Sequence, residues 1–281
     1  MDSALEPLPP IFTAHLYPKI EAKLIELLRS LAPEDWEKQT LAPKWKVKHV
    51  VAHLLDTQVR GLAASRRFSG SETSPALSSA ELLALINNLN AEGVRQYSQF
   101  SPTELISRME AASRESAAYH QALDPFAPAM FSVSWAGEEK SFNWFNTARE
   151  LTERWHHQQQ IRVAVNKPGI MTRELYYPVL DCFLRALPFT YRDVHKENGT
   201  LVQFDISGAC GGSWFLYRHG GEWMLNASPI GKKIGQTTIP QEIAWRIFTK
   251  GIASDNAKAH VQVNGDAETC LHILKMVSIV G

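Results

Sequence analysis

Glu153-Arg-Trp-His-His-Gln-Gln-Gln160 decides how this chain is read. The stretch lies in a segment whose pattern predicts a helix from about Ser141 to Val165, and it sets Glu153 and His157 four residues apart. On an α-helix such residues share a face, with Cβ atoms about 5–6 Å apart. Both side chains can therefore close on one divalent cation. A third donor stands on an earlier helix, in Val47-Lys-His-Val-Val-Ala-His53-Leu-Leu-Asp56. Two imidazoles and one carboxylate make a three-ligand set, the kind that leaves a catalytic zinc open to water or substrate.

The spacing alone is common on solvated helices, and three features weigh toward a metal. His53 sits among apolar neighbours, both histidine-bearing helices are bundle elements, and no acidic cluster surrounds Glu153. Helical bundles build metal sites in their interior from facing helices. There are competitors within the chain. His49 and His53 form their own i, i+4 pair, and Glu150 lies one turn before Glu153 as a rotated alternative. His156 is about 100° around the helix from His157, so the two are not expected to face the same ion.

Outward from that helix, the first 165 residues read as helical. Leu16, Ile20, Leu24, Leu27 and Leu31 recur at helical spacing between Ile11 and Leu31. A second helix runs from near Trp45 to about Phe68, ended by the polar loop Ser69-Gly-Ser-Glu-Thr-Ser-Pro75. Capping boxes at Ser78/Glu81 and Ser101/Glu104 start two more, with Pro102 where no N–H is needed. A length of 281 residues suits two domains. Asn166-Lys-Pro-Gly169 breaks the helix and marks the boundary, giving a bundle over 1–166 and a second domain over 167–281.

The second half is expected to be α+β. A helix over Thr172–Leu187 precedes strands at Leu201–Ile206, Trp214–Tyr217 and Glu222–Leu225, the last two joined through Gly220-Gly221 as a hairpin. A helix over Pro240–Lys250, a strand His260–Val263 and a helix from Asp266 to about Val277 complete it.

Lys and Arg number 29, as do Asp and Glu, so nucleic acid and anionic membrane are not expected as principal partners. No apolar run approaches the ~18 residues that cross a bilayer. Met1-Asp-Ser-Ala-Leu-Glu-Pro lacks the features of a secretion signal. Three widely spaced cysteines indicate neither a disulfide framework nor a cysteine-rich metal site. A cytoplasmic, reduced protein is the expectation, and a homodimer is compatible with it. Trp45 reads as a hydrophobic staple, Trp144 and Trp155 as core or pocket wall, and His120 and His219 as solvated.

Trp45…His53-Leu-Leu-Asp56, followed about a hundred residues later by Thr152-Glu-Arg-Trp-His-His-Gln-Gln-Gln-Ile161, resembles the DinB-like superfamily. Within it the chain is similar to the mycothiol-dependent maleylpyruvate isomerase group. The resemblance extends over nearly the whole chain on short motifs, including Gln262-Val-Asn-Gly-Asp266 before the last helix. It implies a DinB-like metal-binding four-helix bundle joined to an α+β domain similar to sterol-carrier proteins. By position it implies His53, Glu153 and His157 as ligands, zinc as the metal with nickel the alternative, and a low-molecular-weight thiol as cosubstrate. Gln160 stands where the family has aspartate, and Ile252 follows Gly251 where relatives often have arginine. Arg246 is the nearest candidate for the family's C-terminal arginine.

Such a set leaves the cation a net charge near +1, able to stabilise an anion and to favour a thiolate, the nucleophilic form of a thiol. The implied function is thiol transfer to, or thiol-dependent isomerisation of, a small electrophilic substrate. Arg60, two turns beyond His53, is a candidate for its carboxylate, with a surface salt bridge as the plainer role. The rivals are a non-catalytic protein carrying a metal and an apolar ligand, and a hydrolase whose bound water attacks directly.

Overall fold

The computed structural model describes residues 5–67 and 79–279. Two compact units emerge. One is helical and comprises Phe12–Ser132 and Lys140–Ile170; the other holds the sheet and comprises residues 5–11, Val133–Glu139 and Met171–Ile279.

In the helical unit, α1 (Tyr17–Arg29) follows a short 3-10 turn over Ala14–Leu16 and carries Pro18 in its first turn. The four long helices are α2 (Val47–Arg67), α3 (Ser79–Tyr97), α4 (Pro102–Ala122) and α5 (Asn143–Val165). Leu24 and Leu27 of the expected α1 stripe are buried and, with Leu28, meet Val50, Leu54 and Leu55 of α2, Leu105 and Met109 of α4, and Ile161 of α5. Each such side chain contributes about 1.5–3 kcal/mol on burial. Leu31 lies beyond the end of α1 and stays half-exposed.

Helix ends follow the local chemistry. The α4 capping box forms, with Ser101 Oγ accepting from the Glu104 amide at 3.3 Å and Glu104 Oε2 accepting from the Ser101 amide at 2.9 Å. The box read at Ser78 and the loop Ser69–Pro75 lie outside the described residues. Helix α5 stops where Asn166 adopts the left-handed conformation at φ 53 and returns its N–H to the Arg162 and Val163 carbonyls.

A buried ion pair ties α5 to its neighbours. Arg154 Nε lies 3.0 Å from Glu21 Oε1, a charge contact without hydrogen-bond alignment at Nε, and both side chains are shielded from solvent. Arg154 Nη2 donates to Ser116 Oγ at 2.6 Å, and Ser113 Oγ donates to Glu21 Oε2 at 2.7 Å. Beneath the guanidinium lies the Tyr17 ring, 5.0 Å from it, whose hydroxyl donates to the Thr147 carbonyl.

In the second unit, the helix expected over Thr172–Leu187 divides into α6 (Arg173–Leu184) and a single turn, α7 (Leu187–Thr190). Next come β1 (Thr200–Ser207), β2 (Gly212–His219), β3 (Glu222–Asn226) and β4 (Lys232–Pro240). Then follow α8 (Gln241–Phe248), α9 (Ser254–Lys258), β5 (Gln262–Gly265) and α10 (Ala267–Leu271). The strand order is β3-β2-β1-β4-β5, antiparallel except for the parallel pair β1–β4. The β2–β3 hairpin turns through Gly220-Gly221 at positive φ, as expected.

Two elements were not expected, α9 and β4. The latter buries Gly235, Thr237 and Ile239, so its inward face carries little of the apolar signal that identifies a strand. Gly235 is there for room, since a Cβ would stand 2.4 Å from Cys270 Sγ. The strand expected at His260–Val263 starts two residues later, and the last helix gives way to a 3-10 turn at His272. No described helix is long and apolar enough to cross a membrane.

Candidate metal centre

The site grows from an unusual property of α5: its polar run is buried. Arg154, His156, His157, Gln158, Gln159, Gln160 and Arg162 are all shielded from solvent. Polar groups taken from water without partners cost several kcal/mol, so each needs an account. Arg154 has Glu21 and Ser116, while Arg162 donates to the carbonyls of Lys23, Lys167 and Pro168.

The histidines converge instead on Glu153. His157 Nε2 lies 3.5 Å and His156 Nδ1 3.8 Å from Glu153 Oε2. One donor atom from each of these three residues falls within 4.8 Å of the other two. The expectation that His156 turns elsewhere is thereby corrected: the imidazole centroids of His156 and His157 are 3.9 Å apart. Side-chain torsions carry the two rings toward each other despite the angle between their Cα positions.

His53 arrives from α2, its ring 4.6 Å from His157 and 4.7 Å from the indole of Trp45. It stands beside the tight Glu153–His156–His157 set rather than within it. Trp45, read as a staple, packs on the core and also walls the imidazoles, 6.0 Å from His157.

Burial is the main force holding the His53 and His156 imidazoles neutral, well below the usual histidine range. For His53, the neighbouring His157 and then Arg60 add to it. For His156, His157 and His53 add, while the Thr152 carbonyl pulls weakly the other way. Neutral imidazole is the metal-binding form. Among the described residues, Nδ1 of His53 and Nδ1 of His156 are buried without a hydrogen-bond partner of sound geometry. Of the two, the His156 nitrogen lies beside the Glu153 carboxylate, a pairing that fits a cation.

The Gln160 position is informative. His157 Nδ1 and Gln160 Oε1 are 3.0 Å apart. The amide oxygen can only accept, so Nδ1 is the donor in this contact, and Nε2 is the ring nitrogen that faces Glu153. Gln160 thus occupies, behind His157, the orienting position that a carboxylate or carbonyl usually fills behind a metal-bound histidine. Replacing it by leucine is expected to weaken divalent-metal affinity by roughly 10–100-fold, as measured by competition with a chelator.

The remaining candidates are placed as follows. Arg60 Nε is engaged by Asp56 Oδ2 at 2.7 Å and its Nη2 by Asn90 Oδ1 at 2.8 Å, so its charge is already matched. His49 Nδ1 accepts from the Lys46 amide, and Glu150 pairs with Arg149. Arg246 belongs to the sheet-bearing unit, on α8, where its guanidinium lies 5.5 Å from the Trp245 ring. The three cysteines are buried and none is in a disulfide.

His120 is not solvated as expected. It is buried, its ring 4.4 Å from that of Tyr17, and burial followed by Arg154 pushes its pKa down to about 3. The unfolded chain takes up this proton near pH 6.5 and the folded chain only near 3, so His120 stabilises the fold above pH 6.5 and this is lost as pH falls toward 3. About 2 kcal/mol is expected to go by pH 5. Urea unfolding at pH 7 and pH 5 checks this, with His120→Phe expected to show a shallower acid dependence.

A helical bundle with a histidine–carboxylate cluster on one helix, followed by a mixed five-stranded sheet, defines the class of protein. The chain belongs to the family described as the mycothiol maleylpyruvate isomerase N-terminal domain, whose sequence model matches residues 17–162. The fold is similar to a crystal structure of a histidine-to-alanine mutant of the mycothiol-dependent maleylpyruvate isomerase. That likeness has a TM-score of 0.53 at 11% identity over 90% of this chain and 92% of that one. A second crystal structure of the isomerase aligns with a TM-score of 0.49 at 12% identity, over the same shares of the two chains. No curated protein matches the sequence.

Proposed function

We propose that this chain is a metal-dependent enzyme that activates a low-molecular-weight thiol for transfer to, or isomerisation of, a small electrophilic substrate. His53, Glu153 and His157 would hold a divalent cation, zinc in the first instance. The observation that carries the reading is the convergence of His157 Nε2 on the Glu153 carboxylate, with the His53 ring alongside. When bound, such a cation lowers the pKa of a thiol and favours its thiolate. Mycothiol is the thiol that the family name suggests.

The chain's own residues prepare this chemistry. Gln160 fixes the His157 tautomer. Trp45 and the surrounding apolar side chains exclude water from the imidazoles, which strengthens every charge interaction among them. The Glu21–Arg154 pair anchors α5 between α1 and α4 and so sets which of its faces bears the donors. Turnover of an electrophilic substrate, such as a maleyl-type cis-alkene, should require both added thiol and bound metal. Metal-dependent turnover without thiol would reject this reading in favour of a hydrolase.

A further inference from the structure

The residue beside His157 has a place in the site that the three-ligand set leaves unused. We infer that His156 is a fourth protein ligand to the same cation, an inference that rests on the metal reading above. Three observations carry it. Among the described residues, Glu153, His156 and His157 are the set whose donor atoms fall within 4.8 Å of one another, and His53 is not part of it. The His156 side chain is sealed from solvent, at 3% exposure for the residue, and its Nδ1 has no hydrogen-bond partner of sound geometry among the described residues. The Glu153 carboxylate lies 3.8 Å from that nitrogen.

An imidazole serving only as packing would rest on one poorly aligned contact with the Thr152 carbonyl in a dry interior, a weakly met polar group that an apolar side chain avoids. Coordination satisfies that group. It also changes the character of the site. With His53, Glu153, His156 and His157 as donors, zinc reaches the four protein ligands of a closed tetrahedral shell, and a thiol enters only at a fifth position or by displacing one of the four. A site of this kind holds its metal more tightly, and admits a cosubstrate less readily, than three ligands would.

Cobalt(II) reports both properties without any assay of activity. Its visible absorption distinguishes four-coordinate from higher-coordinate geometry, and competition with a chelator gives its Kd. For the full chain, His156→Phe and His156→Gln are each expected to raise the Kd roughly tenfold or more and to change the visible bands. Circular dichroism monitors retention of the fold. His53→Ala and His157→Ala serve as controls. If those two variants lose cobalt while both His156 variants keep the wild-type Kd and spectrum, the fourth-ligand inference is overturned and the three-ligand reading stands. Failure of the wild-type chain to bind cobalt would overturn both.

Discussion

Replacing His157 with alanine is expected to strip the chain of its divalent metal and to lower thiol-dependent kcat/KM by at least about 100-fold. Two effects combine. The substitution removes the Nε2 donor that faces Glu153 at 3.5 Å, and it leaves Gln160 Oε1 without the proton it accepts. Glu153 is then left in a half-buried setting without the partner that converges on it. Metal content of the purified variant, set beside its kinetics, checks the prediction. A variant with full metal and unchanged kcat/KM would remove His157 from the site.

The second large effect concerns stability. Glu21 and Arg154 are both buried and bound to each other across α1 and α5. Removing one partner strands the other charge in a low-dielectric interior, which typically costs about 3–5 kcal/mol. Glu21→Ala is therefore expected to lower the Tm by on the order of 10 °C for a chain of this size. The double substitution Glu21→Leu/Arg154→Met should recover much of that loss, because paired apolar groups carry no stranded charge. Thermal and urea unfolding of the two variants and the wild type measure the difference. A loss below about 1 kcal/mol in the single variant would mean that water reaches the pair.

What could be read from the residues was mostly local. The Ser101-Pro-Thr-Glu104 capping box, the end of α5 at Asn166 and the Gly220-Gly221 hairpin depend on contacts within a few residues, and the structure has all three. The Glu153–His157 pairing was legible for the same reason, as two positions one turn apart on one helix. His53 was reached by its apolar surroundings and by resemblance, and it does stand beside His157.

Long-range packing hid the rest. Strand β4 owes its existence to β1, which it pairs in parallel, and its buried Gly235 and Thr237 resemble loop residues when read alone. The burial of α5 on most of its circumference was not visible either, since His156, Gln158 and Gln159 look like a solvated face until α1, α2 and α4 are in place. His120 was misjudged on the same ground, because the ring that covers it belongs to Tyr17, far away in sequence. A usable signal was present in the density of histidine and glutamine between His156 and Gln160, a run too polar for the helix that also buries Trp155 and Ile161.

The most direct test is anomalous diffraction from crystals of the metal-loaded chain, collected above and below the zinc absorption edge. One strong peak is expected per chain, within bonding distance of His157 Nε2, a Glu153 carboxylate oxygen and a ring nitrogen of His53. A peak bound elsewhere, or none at full zinc loading with the three side chains ordered, would contradict the metal centre on which the proposed chemistry depends.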